Sequence, residues 1–338
     1  MSKAITRNAT ITDVAKLAGV SYQTVSRVIN DHPSVAPATR ERVQNAIDAL
    51  NYRPSLVAKS LVTRRTQLIG VVAYGTDQYG PAQIVQNVER AAREYGYEIL
   101  LTTLHAFATA EMQANVQRLM QFGVDGVVLL TPFQPQMAVD AVGGSLPYIL
   151  IDANEKVEGS SVIIDQFEGA CQATTHLLDL GHERILHVSG PVEWSDAELR
   201  HQGYVHALER ARLEPLPRLI GDWSARSGHE AVQRALQDGL PFTAVFAGND
   251  QMALGAIAAL HASGRRVPED VSVVGFDNTP ESAFFSPALT TVHQNFAALG
   301  RKSMDNLMRV MRDPERPARQ YILQPQLIVR QSTGPAPR

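Results

Sequence analysis

The sequence contains a single cysteine, Cys171, and no long hydrophobic run. One thiol cannot form an internal disulfide, so the fold does not depend on an oxidising compartment. No window approaches the ~18 consecutive apolar residues of a membrane span, and the residues from Met1 to Ala4 lack an apolar secretory core. These absences predict a cytoplasmic protein without a membrane segment.

Sequence motifs of catalysis and of metal binding are also missing. There is no Gly-x-Ser-x-Gly, no Gly-x-Gly-x-x-Gly that opens a helix after a strand, and no Cys/His metal spacing. His182 and His187, like His201 and His206, are five positions apart, whereas a helix-borne zinc site needs an i, i+4 pair. We interpret these histidines as core or surface residues, and expect no enzyme activity, no metal and no cofactor.

The charge of the chain is unevenly distributed along its 338 residues, a length that favours two or three compact units. The net charge is −3, but residues 1–65 hold ten Lys/Arg against four acidic residues. The remaining residues hold 21 basic and 30 acidic side chains. A basic head on an acidic body favours a polyanionic partner for the head, although a merely solvated basic surface has the same composition.

The N-terminal segment has the pattern of a helix-turn-helix. Thr10 can cap a first helix, with an aspartate three positions later to complete a capping box. Gly19 supplies a tight turn, Ser21 caps a second helix, and Val25 and Val28 face inward at helical spacing. A third helix is predicted to close the small core. The alternative is a three-helix bundle that contacts only protein.

The third predicted helix begins near Pro37, since proline suits a first helical position. Its apolar stripe consists of Val43, Ala46, Ile47 and Leu50.

Four short motifs lie within the first 54 residues: Asp13-Val14-Ala15, Ala18-Gly19-Val20-Ser21, Thr24-Val25-Ser26-Arg27-Val28 and Asn51-Tyr52-Arg53-Pro54. Together they resemble the lactose/galactose repressor family of bacterial transcription factors. The resemblance implies that Tyr22, Gln23 and Arg27 contact bases in the major groove. The chemistry agrees, because a Gln amide can pair bidentately with adenine and an Arg with guanine.

Polar residues near the second helix are placed to hydrogen-bond DNA phosphates, which sets register rather than sequence preference. They are Ser21, Thr24, Ser26, Asn30 and Thr39.

Residues 55–63 are short for an autonomous helix. In the resembled family this hinge helix orders on operator DNA, pairs with its dimer mate and inserts a leucine into the minor groove. Leu61 occupies that position, with Ala58 on the same narrow apolar stripe. Such a wedge kinks the duplex at a cost of roughly a few kcal/mol per unstacked step. A plain linker is the alternative interpretation.

From Gln67 onward, strand-like apolar runs alternate with helical stretches, which predicts parallel sheets in two lobes. The predicted strands are 68–73, 98–103, 126–130, 148–151, 161–164, 185–188, 244–247 and 271–275. The predicted helices between them include 83–95, 170–180 and 251–262. This alternation resembles the periplasmic sugar-binding fold that serves as the sensor of the same repressor family. The resemblance implies that the chain crosses back near Gln294, so that helix 296–311 belongs to the first lobe.

The predicted fold is therefore an α-helical helix-turn-helix head with a hinge helix, followed by an α/β two-lobed sensor. The head covers residues 1–54, the hinge and linker 55–66, and the effector-binding domain 67–338. Within that domain the predicted first lobe comprises 67–163 and 295–323. The second comprises 164–294 and 324–332.

Polar residues follow several predicted strands, where open α/β sheets bind ligands. Tyr74, Asp152, Asn249 and Asp277 stand at such ends, and Trp223 is a candidate for stacking on a sugar. For any single strand-end Asp or Asn, helix capping is the common alternative. The family resemblance implies effector contacts for a set of six residues: Asp152, Arg200, Trp223, Asn249, Asp277 and Gln294.

The first lobe departs from the family pattern at three positions. Ala106 stands where the family has an arginine, Ile164 where it has an aromatic residue, and Tyr74 where it has a small hydroxyl residue. These departures indicate that the far end of the ligand differs, and they leave the identity of the sugar open.

The resemblance predicts a repressor that binds pseudo-palindromic operator DNA as a homodimer and is released by a small sugar or glycoside. The tail after Val329 carries no leucine heptad, which favours a dimer over a tetramer. A corepressor-dependent regulator or an activator would have the same head, hinge and sensor domain. The residues after the head would by themselves also fit a transport-type sugar-binding protein. The DNA-binding head and the absence of a signal peptide argue against this alternative.

Overall fold

A computed structural model describes residues 9–53, 65–106, 108–130, 134–153 and 159–337, and the chain divides into two compact units after Gln67. The predicted hinge residues Ala58 and Leu61 lie outside the described residues. Within the described part of the chain, no helix is long and apolar enough to cross a membrane.

Over the described residues 9–53, the N-terminal unit forms three helices: α1 (Ile11–Ala18), α2 (Tyr22–Ile29) and α3 (Pro37–Ala49). The predicted capping box is confirmed at the start of α1. The Asp13 amide donates to Thr10 Oγ1 at 3.3 Å, and the Thr10 amide donates to Asp13 Oδ2 at 2.9 Å. Gly19 ends α1 with φ of 64°, a left-handed conformation that glycine adopts without steric cost.

Small aliphatic side chains from all three helices form the core of this unit. Val14, Val25 and Val43 are each fully buried, and Val28 and Ala46 pack beside them. The inward face predicted from the spacing of α2 and α3 is therefore confirmed. Of the four residues predicted for the α3 stripe, Ile47 and Leu50 are only partly buried.

The first sheet of the second unit is parallel and has the strand order β11-β5-β4-β3-β1-β2. Its strands are β1 (Leu68–Tyr74), β2 (Glu98–Leu104), β3 (Gly126–Leu130), β4 (Tyr148–Ile151), β5 (Ser161–Ile164) and β11 (Gln320–Leu323). Its helices are α4 (Tyr79–Glu94), α5 (Thr109–Gln121), α6 (Pro135–Val142) and α11 (Phe296–Arg312).

The second sheet has the order β12-β10-β9-β8-β6-β7, with β12 the antiparallel edge. Its strands are β6 (Ile185–Ser189), β7 (Leu219–Ile220), β8 (Ala244–Ala247), β9 (Ser272–Asp277), β10 (Thr290–His293) and β12 (Gln326–Ile328). Its helices are α7 (Gln166–Asp179), α8 (Ser195–Arg210), α9 (Ala225–Gln237) and α10 (Asp250–Ala262), and a 3-10 helix spans Pro280–Phe284.

The chain passes between the two sheets three times: after β5, after β10 and between β11 and β12. The predicted return near Gln294 is one of these passages. Helix α11 follows it and packs on the first sheet, where Leu299 and Leu307 share a core with Ile84 and Val88 of α4.

The prediction that α4 begins near Gln83 was wrong, because the helix begins at Tyr79. Gly80-Pro81 has the composition of a turn, but a proline is tolerated in the first helical turn, where the missing N–H has no intrahelical partner. The difference matters because the extra turn of α4 lies at the pocket described below.

Candidate functional site

Helix α2 of the head presents a polar face to solvent. Tyr22 is 59% exposed, Gln23 and Arg27 are also exposed, and Val25 and Val28 on the opposite face are buried. The three predicted base-reading side chains are therefore accessible on one helix, whose inward face is fixed by the core. Base contact by these residues stays a prediction.

The predicted phosphate-binding residues lie on α2, at its two caps and at the start of α3. Ser21 Oγ accepts from the Thr24 amide at 3.2 Å and lies 3.0 Å from Thr24 Oγ1. Asn30 Nδ2 donates to the Ser26 carbonyl at 2.9 Å, and Thr39 is half-buried in the first turn of α3. Local hydrogen bonds thus orient three of these five side chains: Ser21, Thr24 and Asn30.

The second unit contains a pocket between the ends of the two sheets. The structure brings together six of the seven predicted effector residues in its wall: Asp152, Arg200, Trp223, Asn249, Asp277 and Gln294. Both lobes contribute, since Asp152 follows β4 of the first sheet and Asp277 ends β9 of the second. Effector contact by these residues stays a prediction.

Arg200 is joined to Asp277 by a ring of buried hydrogen bonds. Arg200 Nε donates to Gln166 Oε1 at 2.9 Å, Gln166 Nε2 donates to Gln294 Oε1 at 2.8 Å, and Gln294 Nε2 donates to Asp277 Oδ1 at 2.6 Å. An ion pair of 3.8 Å between Arg200 Nη2 and Asp277 Oδ1 completes the ring. Every member is held by a neighbour, which fixes the orientation of the pocket's polar groups.

The Arg200 guanidinium is further held by aromatic rings and the backbone. It lies 3.9 Å from the ring centre of Phe276 and 5.4 Å from that of Trp223, and its Nη1 donates to the Gly248 carbonyl. Weakly hydrated, planar guanidinium groups suit such sites. A buried cation is thereby available to a polar ligand.

Burial raises the pKa of three carboxyl groups in and beside this pocket: Asp152, Asp250 and Asp277. The pKa of Asp277 is raised to about 6 by burial, with the Arg200 charge opposing the rise. Burial and the nearby Asp277 charge raise the pKa of Asp250 to about 7. Burial and the Asp196 charge raise the pKa of Asp152 well above its usual value. A ligand that donates hydrogen bonds to these oxygens would favour their ionised forms.

Asn249 has a structural role in addition to its place in the pocket wall. Its Oδ1 caps α10 by accepting from the Met252 amide at 2.9 Å, and its Nδ2 donates to the Trp223 carbonyl at 3.0 Å. The second bond supports a left-handed conformation of Trp223, with φ of 72°. Asp152 and Asp277 have positive φ as well, at 57° and 108°. Non-glycine residues in this region cluster at functional sites because the surrounding structure must hold them there.

Tyr74 is the one of the seven predicted effector residues that does not line this pocket, and effector contact by Tyr74 stays a prediction. It ends β1, where its side chain faces a neighbouring cavity instead. Of the other two first-lobe departures, Ile164 is buried in the core of the first lobe. Ala106 is exposed, and its amide donates to Glu111 Oε2 at 2.8 Å.

Residues that were not predicted from the sequence also contribute to the site, among them Tyr79, Trp194, Asp196, Phe296 and Gln166. The first four line the pocket, and the fifth belongs to the hydrogen-bonded ring. Trp194 and Asp196 flank the start of α8, and Phe296 begins α11. Their position at helix starts that follow strand ends could have identified them as site residues. Tyr79 was not identified because α4 was predicted to begin near Gln83.

His182 and His187 are buried and contact neighbouring residues of the second lobe. His187 is fully buried and stacks on Phe246 at 4.8 Å, and burial lowers its pKa to about 3. His182 bonds Thr243 Oγ1 at 2.9 Å and Ser272 Oγ at 3.0 Å. No cluster of three or more His, Cys, Asp or Glu suited to a metal ion occurs among the residues that the structure describes.

A helix-turn-helix head followed by a two-lobed domain with a polar pocket between its sheets defines a ligand-responsive DNA-binding regulator. The sequence matches "Bacterial regulatory proteins, lacI family" over residues 10–55 and "Periplasmic binding protein-like domain" over residues 174–333.

The chain is 37% identical to the lactose operon repressor of Escherichia coli (strain K12) over 303 residues, which cover 89% of this chain and 84% of that protein. It is 36% identical to the HTH-type transcriptional repressor PurR of Haemophilus influenzae over 332 residues, which cover 96% of this chain and 98% of that protein. The crystal structure of the lac repressor dimer bound to operator and the anti-inducer ONPF matches with a TM-score of 0.90 at 34% identity, over 97% of this chain and 100% of that one.

The chain therefore belongs to the lacI family of bacterial regulatory proteins. It is a DNA-binding transcriptional repressor, and the relatives named above are repressors rather than enzymes.

Proposed function

We propose that this repressor controls a sugar-utilisation operon and is released from its operator by a small sugar or glycoside. The observation that carries the proposal is the buried pocket between the two lobes, where Asp152, Asp277 and Arg200 converge with the side-chain amides of Asn249 and Gln294. Paired carboxylate, guanidinium and amide groups match adjacent sugar hydroxyls, and an aromatic ring suits the C–H face of a sugar.

The proposed operator contacts follow from the exposed face of α2. Tyr22, Gln23 and Arg27 read bases, and Ser21, Thr24, Ser26, Asn30 and Thr39 bind phosphates. The hinge residues Leu61 and Ala58 enter the minor groove. Because one head covers one half-site, we expect a homodimer on a pseudo-palindromic operator, as in the lac repressor dimer bound to operator.

Release requires that the effector bind the DNA-free conformation more tightly than the DNA-bound one. The pocket draws groups from both lobes, so a ligand that bridges Asp152 to Asp277 can change the free energy of one lobe arrangement relative to another. The hinge would transmit that change to the heads. A ligand that bound both arrangements equally would have no effect on the operator.

A purine effector is the main rival, since several relatives are repressors named PurR. The convergence of acceptor carboxyls favours a ligand with many hydroxyl donors. The sign of the response is a separate question, because a corepressor would tighten operator binding through the same pocket.

The test uses a fluorescent operator obtained by selecting random DNA on the full-length protein. Anisotropy is measured while galactose, glucose, lactose, cellobiose, adenine or hypoxanthine is titrated in. We expect release by at least one sugar and none by the purines. Tighter DNA binding with a sugar would overturn release, and a response to purines alone would overturn the sugar assignment.

The same titration can be followed without DNA. The chain has two tryptophans, Trp194 and Trp223, and both line the pocket. All tryptophan emission therefore reports on this site, and an effector should change it. An unchanged emission with every sugar that releases DNA would place the effector elsewhere.

A further inference from the structure

A second cavity adjoins the effector pocket and shares Gln78, Trp194 and Trp223 with it. No part of the proposed function uses it. Its remaining wall comes from both lobes and includes Tyr74, Asp77, Thr103, His105, Pro191 and Asp222.

Three aromatic rings connect the two cavities. The rings of Tyr74 and Trp194 are 5.7 Å apart at 54°, and those of Trp194 and Trp223 are 5.8 Å apart at 76°. Trp223 is nearly buried, whereas Tyr74 and Trp194 are half-exposed. The rings form a continuous aromatic wall from the buried pocket to the outer cavity.

Trp194 lies directly on the backbone of the first lobe. A Cβ at Gly75 would come within 2.5 Å of the Trp194 Cη2 atom, and Gly75 has φ of +67°. A side chain at this position would therefore collide with the ring in a backbone conformation that already favours glycine. The close approach places Trp194 of the second lobe beside Tyr74, at the boundary between the cavities.

The outer cavity also carries groups that accept hydrogen bonds from hydroxyls. Hydrogen bonds from Ser224 and Ser227 hold the pKa of Asp222 below its usual value, so its carboxylate is ionised. Asp77 Oδ2 accepts from Gln78 Nε2 at 3.2 Å, which leaves its other carboxylate oxygen available at the exposed rim. Aromatic faces flanked by carboxylates and amides are the combination that a pyranose ring requires.

We infer that the outer cavity is a subsite for a second sugar ring, so that the effector is a disaccharide or longer. One ring would occupy the Arg200–Asp277 pocket and the next would pack on Tyr74 and Trp194, with its hydroxyls at Asp77 and Asp222. This inference rests on the proposed function and deepens it. It also gives Tyr74 a role, because a small residue at that position would leave the second ring without an aromatic surface.

The first test compares mono- and disaccharides that share a ring: glucose with cellobiose and with maltose, and galactose with lactose. Calorimetry on the full-length protein should show one disaccharide binding at least about tenfold more tightly than its monosaccharide. Equal affinity within every pair would overturn the second subsite and leave the proposed function standing. Failure of every sugar to bind would overturn both.

The second test separates the two subsites by mutation. Tyr74→Ala and Asp77→Asn should each weaken the preferred disaccharide by about three- to tenfold and leave the monosaccharide within about twofold, because neither side chain lines the inner pocket. Tyr95→Ala, at a tyrosine outside both cavities, is the matched control and should change neither. Asp77→Asn alters an exposed loop side chain and keeps the test valid if Tyr74→Ala does not fold. An equal loss for both sugars would overturn the assignment.

Discussion

The head and the effector pocket hold their functional side chains in opposite environments. On α2, Tyr22, Gln23 and Arg27 are exposed and are supported from behind by the buried valines of the same helix. In the pocket, Arg200 and Asp277 are buried and are held by one another and by glutamines. In the head, the residues proposed to contact DNA are therefore different from those that stabilise the fold. In the pocket, the residues proposed to contact the effector also stabilise the fold.

The sharpest test of this difference is Arg200→Ala. The change leaves Asp277, Gln166 and the Gly248 carbonyl without their buried partner, so the free energy of unfolding of the second unit should fall by about 3–5 kcal/mol. Urea unfolding measures the loss. The matched control is Arg93→Ala, which removes an exposed ion pair with Glu89 and should cost less than about 1 kcal/mol. Similar losses for both variants would contradict the stabilising role of the buried ring.

A second prediction concerns pH and applies to the pocket alone. The raised pKa values of Asp250, to about 7, and Asp277, to about 6, mean that the folded chain binds more protons than the unfolded chain above pH ~4. The contribution of these groups is complete at low pH and is lost as the pH rises through their folded pKa values.

The free energy of unfolding should therefore carry a term that decreases by about 2–4 kcal/mol between pH ~4 and pH ~7.5. Asp250→Asn isolates this term, and its pH profile should be flatter than that of the parent chain. Guanidinium unfolding at a series of pH values provides the measurement. An identical slope in the two proteins would show that Asp250 titrates normally.

Arg27→Ala should affect DNA binding and leave stability unchanged, in contrast to Arg200→Ala. We expect a loss of about 1–3 kcal/mol on the selected operator, because one bidentate base contact is removed. Thermal unfolding should be unaltered, since the side chain is exposed. Anisotropy with operator and with random DNA distinguishes the roles: an equal loss on both would assign Arg27 to the phosphates.

The smallest expected effect is that of Thr10→Ala in the head. The change removes the capping box at α1 and should lower the stability of the N-terminal unit by about 1 kcal/mol. Thr10→Ser keeps the hydroxyl and serves as the control. Hydrogen exchange of the α1 amides reports the loss locally, and equal exchange in the two variants would show that the cap contributes nothing.

Local chemistry made the head predictable from the sequence. Thr10, Gly19, Ser21 and Pro37 each act within one helical turn, and all four positions were assigned correctly. The long apolar strands of the body were predictable for a similar reason. Strands β7, β10, β11 and β12 were not predicted, because each is ordered by its neighbours in the sheet rather than by its own composition.

The pocket was only partly predictable. Strand-end residues such as Asp152 and Asp277 follow from the general position of ligands in α/β sheets. Gln166 and Trp194 do not, because they reach the site through helix starts whose placement depends on the packing of both lobes. Tyr74 ends a strand beside the pocket, but its ring faces the outer cavity, which its position at the strand end could not indicate.

The three passages of the chain between the sheets have a consequence for synthesis on the ribosome. Strands β6 to β10 of the second sheet are complete once residue 293 has been made, whereas the first sheet still lacks β11 and its covering helix α11. The lobe that begins first thus still lacks its covering helix when most of the second sheet has been made, and its apolar surface around Ile84 and Val88 remains open until α11 emerges. Nascent chains stalled shortly before Phe296 should expose that surface to chaperones.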